Sequence, residues 1–459
     1  MAEFVSNNTA TPTTAPDAGK PVTRLHQAIT GPLLFLFILG DVLGAGVYAL
    51  MGVLAGKVGG ALWLPLLVAL LLAMLTAGSY AELVTKYPRA GGAAVFAERA
   101  FKKPMLSFLV GFSMLAAGLT SAAGLSLAFS GTYLSTFISV PQALAAVVFL
   151  GLVSLLNARG IRESLKSNVV MTVIELTGLV IVMVAGVFLL SRGGGDASRV
   201  LEFPANTSAA SATLAGAVIA YYAFVGFETS ANVAEEMQDP VRSYAPALFG
   251  SLLVAGLIYV GVGLAAGAAM PPAELAASTG PLLAVVEASG LGVPRWLFSF
   301  IALIAVANGA LLTMIMTSRL TYGMADEGLL PSVLARVLPR RRTPWVAILA
   351  TTLVAMALTV MGDLSTLAET VVLLLLFVFI STNAAVIVLR REPVAHEHFR
   401  VWTVIPYLGI ASCLLLMAQQ SAHVWGLAGL FLVVGVGLYG LARLGRTSSV
   451  PVSTKVPAP

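Results

Sequence analysis

Gly40-Asp41-Val42-Leu43-Gly44-Ala45-Gly46-Val47-Tyr48 stands in the middle of the first long apolar run of the chain, and its reading decides the fold. Three glycines and a carboxylate occupy a run long enough to cross a membrane. Each Gly weakens a helix interior by roughly 1 kcal/mol relative to Ala, and an ionised Asp at mid-bilayer costs about 3 kcal/mol. A helix carrying both is expected to be broken there. A break leaves backbone N–H and C=O groups unpaired at membrane depth, which is tolerated only where they line a cavity or meet a ligand. This stretch is therefore the first candidate binding site.

The remainder of the 459-residue sequence fits a membrane setting. Hydrophobic residues make up 58% and charged residues 10%, against about 25% charged in an ordinary soluble domain, and the mean hydropathy is +0.94. Met1 to Leu25, rich in Thr, Ala and Pro, has no apolar core and reads as a soluble tail rather than a signal peptide. Cys413 is the sole cysteine, which excludes a disulfide framework or cysteine-built metal cluster. No cofactor motif emerges, and His396, His398 and His423 have no metal spacing. A net charge of +5 invites a nucleic-acid reading. The basic residues, however, fall in short clusters between apolar runs, where they set orientation in a membrane.

Apolar stretches of about 20 residues number twelve: Pro32–Gly56, Gly60–Val84, Met105–Phe137, Pro141–Asn157, Val169–Leu190, Ala212–Ala234, Ala245–Met270, Arg295–Gly323, Pro344–Met361, Thr366–Leu389, Val404–Gln420 and Val424–Leu441. With both termini placed in the cytoplasm, 22 of the 26 Lys and Arg residues fall on that side, leaving Lys57, Arg192, Arg199 and Arg295 outside. That bias is the expected one. Ala93 to Ala100 has the pattern of an amphipathic helix on the cytoplasmic surface. Ser191 to Ser211 reads as a flexible external loop, and a short helix over Pro281 to Ala288 as an outer lid.

A second interruption falls in the sixth span, Tyr221-Tyr222-Ala223-Phe224-Val225-Gly226-Phe227-Glu228-Thr229-Ser230. Paired interruptions at corresponding places in two halves point to an inverted-repeat transporter, with half-helix ends facing substrate at the midplane. The expected units are a cytoplasmic disordered tail over 1–28, a first repeat over 29–190 (spans one to five), an external loop over 191–211 and a second repeat over 212–390 (spans six to ten). Spans eleven and twelve occupy 391–443, and a cytoplasmic tail 444–459.

At these residues the chain resembles the amino acid–polyamine–organocation superfamily of permeases. GAGVYALMG from Gly44 and FVGFETSANVAEEMQDPVRSYAPAL from Phe224 resemble its two broken helices. SYAELVTKYPRAGGA from Ser79, NARGIRESLKSNVV from Asn157 and NGALLTMIMTSRLTYGMADEGLLPSVLARV from Asn308 follow in family order, so the likeness runs from Gly31 to Arg446. It implies an all-α, LeuT-like membrane fold of twelve helices in a five-plus-five inverted repeat. It also implies alternating-access transport of amino acids or amines. In such permeases the substrate carboxylate is held by backbone N–H groups of the first break, here Gly44, Ala45 and Gly46 beside Val42 and Leu43. The amine meets carbonyls corresponding to Gly40, Phe224 and Val225. These roles agree with helix-end dipoles, positive at a half-helix N-terminus and negative at a C-terminus.

Departures from the family are informative. Many relatives carry a Lys midway along the fifth helix; this chain has Glu175 there, and it has Asp41 where relatives carry a small or apolar residue. Two such carboxylates would share a proton or bind a cation. Proton coupling is the first reading, with sodium or the ammonium of an amine substrate as rivals. Ala117 and Gly118 stand where some cationic amino acid carriers have an acidic and an aromatic residue, which favours a neutral substrate over lysine or arginine.

Each candidate also has a plainer reading. Gly44 and Gly46 serve close helix packing in many membrane bundles, and Asp41 and Glu175 are a buried pair if hydroxyls such as Thr172 or Thr177 satisfy them. Glu228 holds the broken helix by accepting hydrogen bonds, or takes part in coupling. Asn308 is a helix–helix hydrogen bond or a pocket group; Tyr222, Phe224 and Phe227 are packing residues or aromatics closing over substrate. Glu235, Asp239, Arg242 and Arg319 are a solvated surface or an inner gate of ion pairs.

The expected function is an amino acid permease of the plasma membrane, importing a neutral amino acid with a proton. The alternatives are an amine, polyamine or cationic amino acid carrier, or sodium coupling. A channel would need a continuous polar lining, and an enzyme a nucleophile–base or metal constellation; neither pattern is present. The expected partners are a small-molecule substrate, a proton or sodium ion and membrane lipid, with no nucleic acid; the oligomeric state is left open.

Overall fold

The computed structural model describes residues 29–88, 92–159, 164–338 and 343–446. The tail expected over 1–28 and the end of the C-terminal tail lie outside these residues, as do Arg89 to Gly91. Among the described residues the architecture is all-helical and without a strand; one isolated bridge pairs Ile29 with Met237.

The first apolar run is two helices, α1 (Gly31–Leu43) and α2 (Ala45–Val58), separated at Gly44. Next come α3 (Trp63–Lys86), α4 (Gly92–Phe101), α5 (Pro104–Phe129), α6 (Thr132–Ser135), α7 (Gln142–Arg159) and α8 (Ser164–Ser191). The sixth run starts as α9 (Ala209–Tyr222), turns over residues 223–226 and resumes as a 3-10 helix, Phe227–Glu236. The chain continues through α10 (Pro240–Ala269), α11 (Pro272–Ala277), α12 (Pro281–Ser289) and α13 (Arg295–Asp326). It finishes with α14 (Trp345–Met361), α15 (Leu364–Leu389), α16 (Val404–Met417) and α17 (Ala422–Arg446).

Among the described residues ten segments are long and apolar enough to cross a membrane, counting α1 with α2, α5 with α6, and α9 with the 3-10 helix that follows it, each as one; α14 and α16 are apolar but shorter. Large apolar side chains such as Leu155, Val187, Leu257, Leu353 and Val433 stand exposed along these helices. Such a surface needs a hydrocarbon solvent.

Two packing groups frame the breaks. In one, α3 packs on α9 and α10, α2 on α9, and α1 on α10; in the other, α5 packs on α13, α14 and α7. Helix α8 touches α1, α10 and α13, while α15 touches α5, α3 and α9. Short side chains let polar groups meet across these contacts. Ser154 lies 2.5 Å from Thr352, Ser126 lies 3.0 Å from Thr359, and the Asn157 amide donates to Ser318 Oγ at 3.1 Å. In the membrane, hydrogen bonds of this kind replace part of the hydrophobic drive.

Three local expectations change. Helix α4 does form, but its apolar positions Gly92, Ala93, Phe96 and Ala97 are buried against α5 and α15 rather than turned to lipid. Apolar spacing marks a face to be covered; it does not name the cover. The Gly/Ser-rich segment after α8 is pinned rather than loose. Gly60 N–H donates to the Glu202 carbonyl at 3.0 Å, Trp63 Nε1 to the Val200 carbonyl at 2.9 Å, and Asp196 caps a 3-10 turn through Ser198 N at 2.9 Å. The third apolar run is continued to Ser135, but its helix is interrupted: α5 ends at Phe129 and α6 follows as a short separate helix.

Candidate substrate and ion site

The two interruptions face each other. At Gly46 a Cβ would lie 2.8 Å from Ala223 Cα, so any side chain there would push α2 off the end of α9. Gly226 adopts φ +126°, and a Cβ would stand 3.0 Å from the Asp41 carbonyl oxygen; both facts require glycine. The Tyr259 hydroxyl of α10 donates to the Val42 carbonyl and also lies 3.2 Å from the Ala223 carbonyl. One side chain thereby holds an orphan carbonyl from each broken helix, the groups that helix ends leave unsatisfied.

A cavity of about 550 Å³ meets both breaks. Near them it is lined by Val42, Gly44, Gly46, Tyr222, Val225 and Gly309, with Ala117, Gly118 and Ser121 of α5 opposite. Its wall is mostly small or apolar, continuing through Met114, Leu125, Leu312, Val371 and Leu375. The cavity extends toward one end of the bundle, where Ala94 and Val95 of α4, Ser107 at the start of α5 and Glu327 past the end of α13 border it. No residue of α11 or α12 is in the lining. At that opposite end α11 packs on α2, where a Cβ on Gly52 would lie 2.5 Å from the Leu275 carbonyl. There also the Tyr133 hydroxyl donates to the Tyr48 carbonyl at 2.9 Å, and Thr132 bonds Thr279.

Asp41 and Glu228 border the cavity, and Glu175 does not. The Asp41 carboxylate accepts from the Thr229 hydroxyl, whose oxygen also lies 2.7 Å from the Gly226 carbonyl. Glu228 accepts the Gly226 N–H at 2.9 Å, so it does hold the turn of the second break, as its plainer reading expected. Glu175 is fully buried in α8. One of its oxygens accepts Asn308 Nδ2 at 3.0 Å; the other has no hydrogen-bond partner among the described residues. Asn308 Nδ2 lies also 3.2 Å from Asn168 Oδ1. The hydroxyls expected to satisfy these acids do not reach them, because Thr172 and Thr177 donate to the carbonyls of Asn168 and Val173, one turn back in their own helix.

The remaining candidates divide by position. Gly40 packs against α8, where a Cβ would collide with Thr172. Leu43 is buried outside the lining, and the side chain of Ala45 lies outside those described. Phe224 is buried edge-on against Tyr259, with ring centres 5.3 Å apart. Phe227 is buried between Tyr80 and Phe379, at 5.8 and 5.4 Å. Neither ring borders the cavity, whereas Tyr222 does, its hydroxyl 2.9 Å from Ser121 Oγ. Of the four gate residues, Glu235 has a side chain outside those described. Asp239 caps α10, accepting from the Arg242 N–H at 3.1 Å. Arg242 is exposed, and Arg319 borders the cavity together with Glu236.

Ion pairs that do form join other elements. Arg390, after α15, donates from Nε and Nη2 to both oxygens of Glu82 in α3, at 2.7 and 2.6 Å, and Val401 N–H adds a bond to Glu82 at 3.0 Å. Arg99 of α4 stacks on Tyr87 at 3.8 Å and pairs with Glu392 at 3.1 Å. The Arg99 bond, followed by one from Tyr87, holds the Glu392 carboxyl below its ordinary value. Sequence reasoning missed Thr229, Tyr259, Asn168 and the Glu82–Arg390 pair. Only Asn168 carried a signal: with Thr172 and Glu175 it repeats at i, i+4 and i+7 along one helix face. Among the described residues no group of three or more His, Cys, Asp and Glu side chains is arranged to hold a metal.

Comparison with known proteins supplies independent findings. A family model described as amino acid permease matches residues 31–435. The chain is 26% identical over 439 residues to the branched-chain amino acid permease BcaP of Bacillus subtilis, covering 89% of this chain and 91% of that protein. It is 25% identical over 431 residues to the methylthioribose transporter of the same organism, with the same coverage of 89% and 91%. Cationic amino acid transporter 9, chloroplastic, of Arabidopsis thaliana is 29% identical over 334 residues, covering 67% of this chain and 56% of the plant protein. All three are named as permeases or transporters, not enzymes.

Proposed function

The chain belongs to the amino acid permease family, and on that premise we propose that it imports a neutral, hydrophobic amino acid with a proton across the plasma membrane. The mechanism proposed is alternating access in a LeuT-like fold of twelve spanning helices, with α14 and α16 crossing as well as the ten longer segments. The repeats are taken as 29–190 and 212–390, with α16 and α17 appended. Both termini, and the open end of the cavity, are assigned to the cytoplasm on the distribution of Lys and Arg.

The observation that carries this reading is the cavity that meets both helix breaks. Its volume of about 550 Å³ is ample for an amino acid. In this scheme the N–H groups of Gly44, Ala45 and Gly46, at the start of α2, receive the carboxylate. Carbonyls at the end of α1 and around Phe224 and Val225 receive the amine. The side chain points to Ala117, Gly118, Val225 and Leu312, a wall without a charged group, and the branched-chain substrate named for one relative has matching chemistry. Asp41, Glu175 and Glu228 are the coupling candidates.

A second reading, an amine or cationic amino acid carrier, is favoured by Asp41 and Glu228 at the cavity wall and by the plant relative's name. Uptake of labelled leucine, lysine and putrescine into proteoliposomes, under imposed proton or sodium gradients, separates the readings. Leucine uptake driven by a proton gradient is expected. Putrescine or lysine uptake without leucine competition overturns the substrate, and sodium dependence without pH dependence overturns the coupling.

A further inference from the structure

The Glu175 carboxyl and the substrate cavity are separate in space, so coupling between them needs a connector. We propose that Asn308 is that connector, a positioning residue that transmits the charge state of Glu175 to the first break through Gly309, and not a substrate contact. The proposal rests on the proton-coupled reading of Glu175 given above.

Asn308 is 3% exposed and does not border the cavity, while its neighbour Gly309 does. Its amide nitrogen has two hydrogens, and both have acceptors: Glu175 Oε1 at 3.0 Å and Asn168 Oδ1 at 3.2 Å. One side chain of α13 thereby bridges two positions of α8. Two buried atoms beside this bridge have no partner among the described residues, the acceptor Glu175 Oε2 and the donor Asn168 Nδ2. A fully buried carboxylate with one bond is tolerated only when its charge is neutralised, and a proton on the carboxyl does so. Once the proton leaves, both oxygens are strong acceptors. The amides of Asn308 and Asn168 are then drawn onto them.

In this scheme the α13 backbone follows Asn308 and carries Gly309 with it, and a Cβ on Gly44 would stand 3.9 Å from Gly309 Cα. The α13 backbone is therefore in packing contact with the break proposed to hold the substrate carboxylate. A second tie runs through α2, where the Tyr48 hydroxyl donates to the Glu175 carbonyl at 2.7 Å.

The other titratable groups around Glu175 are already engaged. Asp41 of α1 is bonded to Thr229, Tyr259 of α10 to the Val42 carbonyl, and Tyr133 of α6 to the Tyr48 carbonyl. From α12, Glu287 pairs with Arg295 at 3.5 Å; on α13, Arg319 lies about three turns beyond Asn308, at the far part of the cavity.

The test measures initial leucine uptake against pH in proteoliposomes of the full-length protein, for the unaltered chain, Asn308→Ala, Glu175→Gln and the double variant. Asn308→Ala removes a donor that favours the charged carboxyl, so the profile is expected to move toward alkaline pH by about one to two units, with the KM for leucine within about threefold. On the Glu175→Gln background the same substitution is expected to move nothing further. If Asn308→Ala does not assemble, Asn168→Ala is expected to shift the profile in the same direction by less. A tenfold or larger rise in KM (about 1.4 kcal/mol) with an unmoved profile makes Asn308 a substrate contact and overturns the proposal. So does a shift that persists without Glu175, or an Asn168→Ala profile that coincides with the unaltered one. A pH-independent unaltered protein that still exchanges leucine at symmetric pH overturns the proton reading itself, and the proposal with it.

Discussion

Thr229 donates its hydroxyl hydrogen to the Asp41 carboxylate, joining the segment after the second break to the last turn of α1 before the first. The same oxygen reaches the Gly226 carbonyl at 2.7 Å, so one hydroxyl ties together the two broken segments at the cavity wall. A hydrogen bond to a charged acceptor is worth about 1.5–3 kcal/mol. Thr229→Val is expected to raise the KM for substrate by roughly tenfold or more, while Thr229→Ser stays near the unaltered value. Uptake kinetics check this; equal KM values for Val and Ser at position 229 would show that the bond does not shape the site.

Gly46 makes a sharper case, because its neighbour is backbone. A Cβ at 2.8 Å from Ala223 Cα has no flexible side chain to displace, so Gly46→Ala forces α2 away from α9. Overpacking of this kind costs about 1–3 kcal/mol. The variant is expected to insert and remain folded while binding is lost, because the strain falls on the surface of the cavity. Gly437→Ala in α17, where nothing among the described residues lies within 4 Å, serves as the control and is expected to transport normally. Size-exclusion profiles with leucine counterflow measure both. Normal counterflow by Gly46→Ala would remove the close approach from the mechanism.

Both breaks are legible in the sequence, because glycine beside an acid is out of place in an apolar run, and Gly44 and Gly226 are where the helices part. Asp239, read as a gate or surface residue, instead caps α10 ahead of Pro240, the arrangement that favours a helix start. The partners of the acids are not legible. Thr229 lies 188 residues from Asp41, and Glu82 lies 308 from Arg390; no local pattern encodes such distances. Lys and Arg at span ends also serve orientation, and that second role hides the pair. For Glu175, the face shared with Asn168 is readable from spacing, but not which helix covers it. Asn308 comes from α13, and its neighbour rather than itself borders the cavity.

The Glu82–Arg390 pair predicts a stability effect separable from transport chemistry. Its side chains are 1% and 11% exposed, respectively, and the bidentate geometry uses both carboxylate oxygens. Removing one partner of a buried pair costs about 3–5 kcal/mol, because the other charge is left uncompensated. Glu82→Leu is expected to lower the thermal unfolding midpoint markedly, and Glu82→Leu with Arg390→Met to recover much of the loss. Scanning fluorimetry in detergent reads all three proteins. Additive losses in the double variant would mean that the two residues act independently.

Glu392 yields a prediction about pH. Its carboxyl is held below the ordinary value of 4.5, first by the Arg99 hydrogen bond, with a smaller contribution from Tyr87. For a depressed acid, the stabilisation is fully present above the ordinary value and is lost only as pH falls through the lowered one. The clasp of Arg99, Tyr87 and Glu392 on α4 therefore keeps its charge from neutral through mildly acid pH, the range in which proton-driven uptake is assayed. Glu392→Gln is expected to leave the shape of the pH–uptake profile unchanged while lowering uptake uniformly, since α4 carries Ala94 and Val95 at the cavity wall. The pair is solvent-exposed, so its effect is modest and weakens with salt. Uptake across pH at low and high ionic strength decides the matter. A profile that changes shape in Glu392→Gln would transfer part of the pH dependence from the buried acids to this clasp.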